Sequence, residues 1–233
     1  MSYTDNLLIQ RLPQKARDRL IDQCESVELK ASADVGVRGQ ALRHVHFPTD
    51  SFLSLVLDWE DYPGIGIGMV GHEGMVGAEV LLGAAPPPWR ATVLGPGHSL
   101  RISAKALRQE CAVSPTLLRW VSASILLRLH QQAIALACQR VHLLVPRLAR
   151  WLLMSLDGAR CDHFHATHES IAHMLGVRRV GITEAAGALQ QSGLIHYHRG
   201  EMTVNDRPGL EQQACSCYRT DQTFRQKLFP DPA

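Results

Sequence analysis

His168-Glu169-Ser170-Ile171-Ala172-His173-Met174-Leu175-Gly176-Val177-Arg178-Arg179-Val180-Gly181-Ile182-Thr183-Glu184-Ala185-Ala186-Gly187 is the stretch that decides the fold. Two short helices meeting at a steep angle need apolar side chains on their facing turns, and Ile171, Leu175, Val177, Ile182 and Ala185 supply them. They need a small residue where they touch, which is Ala172, and a glycine in the sharp turn, where a positive φ is cheap; Gly176 stands there. Thr167 is placed to cap the first helix through its hydroxyl. The pattern predicts a helix-turn-helix. Its second helix then exposes Arg178, Arg179, Val180, Thr183 and Glu184, and the N-terminal residues of such a helix are those that reach base edges in a major groove. An arginine there can donate two hydrogen bonds to one guanine edge. Glu184 can accept from a cytosine amino group or orient Arg179 or another arginine.

Downstream, Gly193 is a fitting helix stop. Ile195/Tyr197 and Met202/Val204 then alternate about Arg199-Gly200, which predicts a two-stranded hairpin and makes the unit a winged helix-turn-helix. Arg199 at the wing tip and Thr167 are candidates for phosphate contacts, which position a protein without specifying sequence.

Upstream, Ser114 to about Val145 contains no glycine and begins with Pro115, which a first helical turn tolerates. Leu118, Ser122, Ile125, Leu129, Gln132, Leu136 and Gln139 follow a 4-3 spacing, flanked by Val121 and Leu126. Such a stripe suits either an amphipathic helix packed on its own domain or a parallel coiled coil between two subunits. A helix of about 30 residues runs roughly 45 Å. It would outrun a small barrel, which favours a homodimer through residues 114–145. Pro146 breaks or restarts the helix. From about residue 27 to 103 the sequence alternates and is punctuated by Pro48-Thr49-Asp50, Pro63-Gly64, Pro86-Pro87-Pro88 and Gly95-Pro96-Gly97, which predicts an antiparallel β-barrel of jelly-roll type. The expected class is α+β: a sensor barrel over residues 1–113, a long helix over 114–145 and a winged helix-turn-helix over 146–233.

With 233 residues, 45% hydrophobic and 20% charged, and a net charge of +2, the chain has the material for a packed interior and is not of disordered type. No stretch approaches the ~20 apolar residues of a membrane span. Asp5 precedes the first apolar pair and Arg11 follows it, the wrong order for a signal peptide. The expectation is a cytoplasmic protein with no membrane association. The thiols of Cys24, Cys111, Cys138, Cys161, Cys215 and Cys217 are scattered and read as reduced, without the tight N-terminal cluster of an iron–sulfur site.

Three patterns resemble sites without meeting their physical requirements. Gly66-Ile67-Gly68-Met69-Val70-Gly71 has dinucleotide-binding spacing, but the glycine-rich His72–Gly77 cannot open the required helix, so it reads as a barrel turn. His168 and His173 are five apart, about 140° around a helix, and cannot share a metal; His163, His165 and His168 read as a polar loop. Cys215 and Cys217 could oxidise or help hold a soft metal, but on a helix they point about 160° apart, so a shared role needs the helix to end nearby. No metal ligand set, no cofactor site and no catalytic constellation is read from the sequence, so an enzyme is not expected.

On these residues the chain resembles the Crp/Fnr family of bacterial transcription factors, from barrel through long helix to winged helix. The resemblance implies a homodimer on a near-palindromic double-stranded DNA site, with one recognition helix in each of two successive major grooves, and RNA polymerase as a further partner. The family's base-reading triad is Arg, Glu, Arg; here those places hold Arg179, Val180 and Glu184, so the family's usual half-site is not expected. Members that bind cyclic nucleotide use a Gly-Glu pair and then an Arg-Ser pair. Here Gly77 is followed by Ala78, Glu79 comes one place late, and Arg90 precedes Ala91. Gly77, Glu79 and Arg90 are therefore the ligand candidates of a degenerate cassette, with an effector other than cyclic AMP. The competing reading is a ligand sensor whose winged helix serves as a protein-interaction module.

Overall fold

Asn6 sits at the start of the fold, buried, its side chain donating to the carbonyls of Pro48 and Gly74 while accepting from the amides that open the first helix. The computed structural model describes residues 5–36, 38–59, 62–83, 86–160 and 162–230; Cys161 lies outside them. After α1 (Leu7–Gln10) and α2 (Gln14–Asp22) come β1 (Glu25–Leu29), β2 (Asp34–Gly36), β3 (His44–Pro48), β4 (Phe52–Trp59), β5 (Tyr62–Val70), β6 (Arg90–Gly95) and β7 (Gly97–Ser103). These strands pair antiparallel as two sheets, β1-β7-β3 and β2-β6-β4-β5. The sheets stay open rather than closing into a barrel, because β3 continues only into a single bridge, His46 to Val76. The side chains that alternate inward, among them Phe47, Leu53, Leu55, Leu100 and Ile102, are fully buried.

Ser103 caps α3 (Ala104–Val113), and Ser114 caps α4 (Pro115–Val141) by accepting from the Leu117 amide at 3.3 Å. The long helix ends at Val141, short of the expected Val145. His142 leaves it in extended backbone, and α5 (Leu144–Ala159) begins before Pro146. Pro146 lies in the first turn of α5, where its missing N–H costs nothing. The break therefore precedes the proline.

Two faces of α4 are apolar. Leu117, Trp120, Val121, Leu127 and Cys138 are buried within the chain, so Val121 belongs to this inner face and not to the outer stripe. Leu118, Leu129 and Leu136 are 44%, 58% and 54% exposed. The helix thus packs on its own domain by one face and leaves Leu118, Leu129 and Leu136 of the 4-3 stripe exposed, while Ile125 packs against the inner core and Gln132 is half-buried. By length and composition alone α4 meets the requirement for crossing a membrane, with a mean hydropathy of 1.2 over 18 residues, contrary to the sequence expectation. Having two apolar faces accounts for that composition.

Beyond α5 come β8 (His163–His165), α6 (His168–Leu175), α7 (Arg179–Gln191), β9 (Ile195–His198), β10 (Glu201–Val204), α8 (Arg207–Gln213) and α9 (Cys217–Leu228). The wing is a three-stranded sheet, β8-β10-β9, with β8 added to the expected hairpin. The last helix returns to α4: Phe229 meets Trp120 at 5.6 Å, and the buried Arg150 of α5 donates to Asp221 of α9 at 2.6 Å.

The glycine run at 66–71 has a packing role. Gly66 and Gly68 lie inside β5 and not in a turn. A Cβ on Gly66 would lie 2.5 Å from Met174 Sδ of α6, and one on Gly71 would lie 2.3 Å from the Cα of Gly158 in α5. The glycines let two helices approach the end of this strand. Gly71→Ala, whose new methyl would meet backbone and not a yielding side chain, should lower stability by about 1–3 kcal/mol in urea denaturation.

Candidate nucleic-acid interface

Thr167 Oγ1 accepts from the Ser170 amide at 3.0 Å, and Ser170 Oγ donates back to the Thr167 carbonyl at 2.8 Å, so α6 starts on a double cap. Its end is fixed by Gly176, at φ 64°, and by Arg147 of α5, which donates to the Leu175 carbonyl at 2.5 Å. Ile171, Ala172, Leu175, Ile182 and Ala185 are all buried in one core with Leu148, Leu152 and Leu156 of α5, and Val177 packs against it. The two helices are therefore held on a rigid third.

That packing leaves Arg178 as the N-cap of α7 and Arg179 as its first residue, both exposed. Val180 (61% exposed), Thr183 and Glu184 share the exposed surface. Among the described residues, Arg178, Arg179, Glu184 and Arg199 take part in no ion pair. The nearby acids do: Glu169 lies 3.3 Å from His173 and Glu201 lies 2.8 Å from His165. Arg178, Arg179 and Arg199, with Glu184, are thus the unpaired charges of this face among the described residues. Arg199 and Gly200 both have positive φ, 50° and 90°, as a two-residue hairpin turn requires, and they form the tip of the wing.

Thr183 is partly committed within the protein. Its hydroxyl lies 3.0 Å from His168 Nδ1 and donates to the Arg179 carbonyl at 3.3 Å. His168 stacks on Tyr197 of the wing at 4.2 Å, and Gln190 of α7 accepts from the Tyr197 amide at 2.7 Å. Burial and the neighbouring Arg179 charge push the His168 pKa down, so the ring is neutral near pH 7. Sequence reasoning missed His168, Tyr197 and Gln190 as the residues that fix the wing against the second helix. Stacking partners 29 residues apart carry no spacing signal.

Residues 146–213 match the family model of the Crp-like helix-turn-helix domain. The C-terminal region is a Crp-like helix-turn-helix domain. About four-fifths of the chain superposes on solved structures of regulators of this type. FixK2 of Bradyrhizobium japonicum superposes with a TM-score of 0.69 at 11% identity, covering 82% of this chain and 98% of that one. A CRP-family transcriptional regulator of Thermus thermophilus gives 0.67 at 19% identity, covering 81% and 96%. The c-di-GMP-responsive global regulator CLP of Xanthomonas campestris gives 0.65 at 14% identity, covering 83% and 100%. No curated protein matches the chain by sequence.

In front of the Crp-like domain, the three ligand candidates face different partners. Gly77 takes φ 99° at the start of a 3-10 turn, Ala78–Leu82. Glu79 in that turn binds Arg128 of α4 at 2.6 Å, with both side chains largely buried. Arg90 lies 3.0 Å from Asp58 and 3.2 Å from Asp34, all within the sheet β2-β6-β4-β5, and this pairing holds the Asp58 carboxyl below its usual range. Glu79 and Arg90 have no partner in common. If Glu79 is a brace for α4, Glu79→Ala should leave Arg128 buried and unpaired and cost about 3 kcal/mol by thermal denaturation, most of it recovered on adding Arg128→Met.

Proposed function

We propose that this chain is a sequence-specific DNA-binding transcription regulator that acts as a homodimer on a near-palindromic site. The observation that carries the proposal is the pair of unneutralised arginines, Arg178 and Arg179, at the exposed N-terminus of α7 on a rigidly packed helix pair. Arg179 reads a guanine edge, Arg178 and Thr183 support it, and Glu184 tunes the contact. Thr167 and Arg199 hold phosphates on either side. The chemistry is recognition and not catalysis, and a cytoplasmic location with access to RNA polymerase follows from it.

The outer stripe of α4 is the dimer seam. Leu118, Leu129 and Leu136 in solvent are the reason: they repeat at coiled-coil spacing on a helix whose other face is already buried. The effector is not cyclic AMP. Two carboxylates, Asp34 and Asp58, already surround Arg90 and would repel a cyclic phosphate. Val180, apolar and exposed in a base-facing place, favours a second reading in which the winged helix binds a protein. Salt separates the two, because counterion release makes DNA affinity fall steeply with ionic strength.

Selection from a random DNA pool without added ligand should enrich a palindrome with half-sites about one helical turn apart; salt-insensitive binding without enrichment would favour the protein-binding reading. On the selected site, Arg179→Ala should cost about 1–3 kcal/mol and relax preference at one base pair. Leu129→Glu with Leu136→Glu should convert the dimer to monomer in analytical ultracentrifugation and leave the circular dichroism of the fold unchanged.

A further inference from the structure

Four potential metal ligands from distant parts of the chain converge where α4 ends. Cys138 and His142 are four residues apart, and residues so spaced share one face at a helix terminus. Cys215 and Cys217 come from the turn between α8 and α9, where the chain leaves one helix and enters the next. Their ligand atoms all lie within 4.8 Å of one another. Cys138 Sγ and Cys215 Sγ are 3.5 Å apart, and Cys217 Sγ lies 3.7 Å from His142 Nδ1. A tetrahedral zinc ion with Zn–S of about 2.3 Å and Zn–N of about 2.0–2.1 Å holds its sulfurs about 3.8 Å apart and sulfur and nitrogen about 3.6 Å apart.

The surroundings agree with the spacing. The three cysteines are 1%, 6% and 8% exposed and form a cluster of their own, with Ile134 packed against it and apart from the large apolar cores. Hydrophobic packing alone gives no reason to gather three thiols and an imidazole there. Three thiolates, a neutral imidazole and a divalent cation sum to one negative charge, and the buried guanidinium of Arg150 acts on Cys138 and Cys215 with the opposite sign. A helical path through Cys215 and Cys217 would have kept their sulfurs apart. Because α9 starts only at Cys217, both reach the same point.

We propose that Cys138, His142, Cys215 and Cys217 bind a single thiolate-preferring divalent ion, zinc before others, that clasps the end of α4 to the turn between α8 and α9. On binding, the ion displaces the thiol protons to solvent and is held by three sulfurs and one nitrogen. His142 and Leu143 are the two residues between the long helix and α5, and the Cys215 amide donates to the Pro146 carbonyl of α5 at 3.3 Å, so the clasp ties the end of α4 to the start of α5. The site stands independently of the DNA-binding reading; only an effect of the ion on DNA affinity would rest on it.

The test uses the full chain purified under reducing conditions. Elemental analysis after dialysis should find one zinc per chain, and cobalt(II) added to metal-free protein should give the intense visible bands of a tetrahedral thiolate site. Cys215→Ser and Cys217→Ser should each weaken cobalt binding by at least about 100-fold. Cys24→Ser and Cys111→Ser, whose thiols lie outside the cluster, should not change it. Hydrogen exchange around residues 141–144 should rise when zinc is removed by a chelator. The proposal is overturned by metal-free protein with weak octahedral cobalt spectra, by iron and acid-labile sulfide at the cysteines, by a Cys138–Cys215 disulfide in place of bound metal, or by bound zinc whose removal leaves exchange at 141–144 unchanged.

Discussion

One constraint orders this molecule: a 27-residue helix that has more apolar surface than its own chain can cover. Burial of Leu117, Trp120, Val121 and Leu127 ties α4 to the sheets, and the Arg128–Glu79 pair adds a polar brace on the same side. The exposed leucines on the far side cost free energy in water, since each fully buried leucine is worth about 1.5–3 kcal/mol relative to exposure. A second subunit on that face, as proposed above, would relieve that cost. The same helix also receives α9, so both ends of the chain are organised around it.

Recognition depends on what the helix-turn-helix leaves unsatisfied. Glu169 and Glu201, beside the exposed face of α7, lie against histidines, while Arg178, Arg179 and Arg199 have no carboxylate partner among the described residues and Glu184 has no cation. An arginine already paired within the protein would have to break that bond before meeting a base, and the loss would come out of its specificity. Here the packing of α6, α7 and α5 fixes the backbone and leaves the charges available.

How much of this was legible in the sequence depended on whether a feature is local. The positions of Ile171, Ala172, Gly176 and Ile182 follow from steric demands within 20 residues, and the turn at Arg199-Gly200 from the φ values a tight hairpin needs. Contacts between distant residues were not legible. Glu79 is a ligand candidate through its place in the degenerate cassette, and no local pattern announces its partner Arg128, 49 residues away. Gly66, Gly68 and Gly71 match a phosphate-binding spacing, yet Gly66 and Gly71 stand where α6 and α5 approach. Cys215 and Cys217 were placed on one helix, which turned their sulfurs apart. The four-residue spacing of Cys138 and His142 was the available signal that a second ligand pair existed.

The contact of Gly71 with Gly158 also has a mechanical meaning. Side chains between a strand and a helix act as compliant spacers, since rotamers can absorb small shifts. At this junction the backbones approach directly, and the Gly158 carbonyl accepts from the His72 amide at 3.2 Å. A displacement at the end of β5 therefore reaches α5 undamped, and α5 is the element on which the helix-turn-helix is mounted. The end of β5 and the helix that carries α6 and α7 meet through bare backbone.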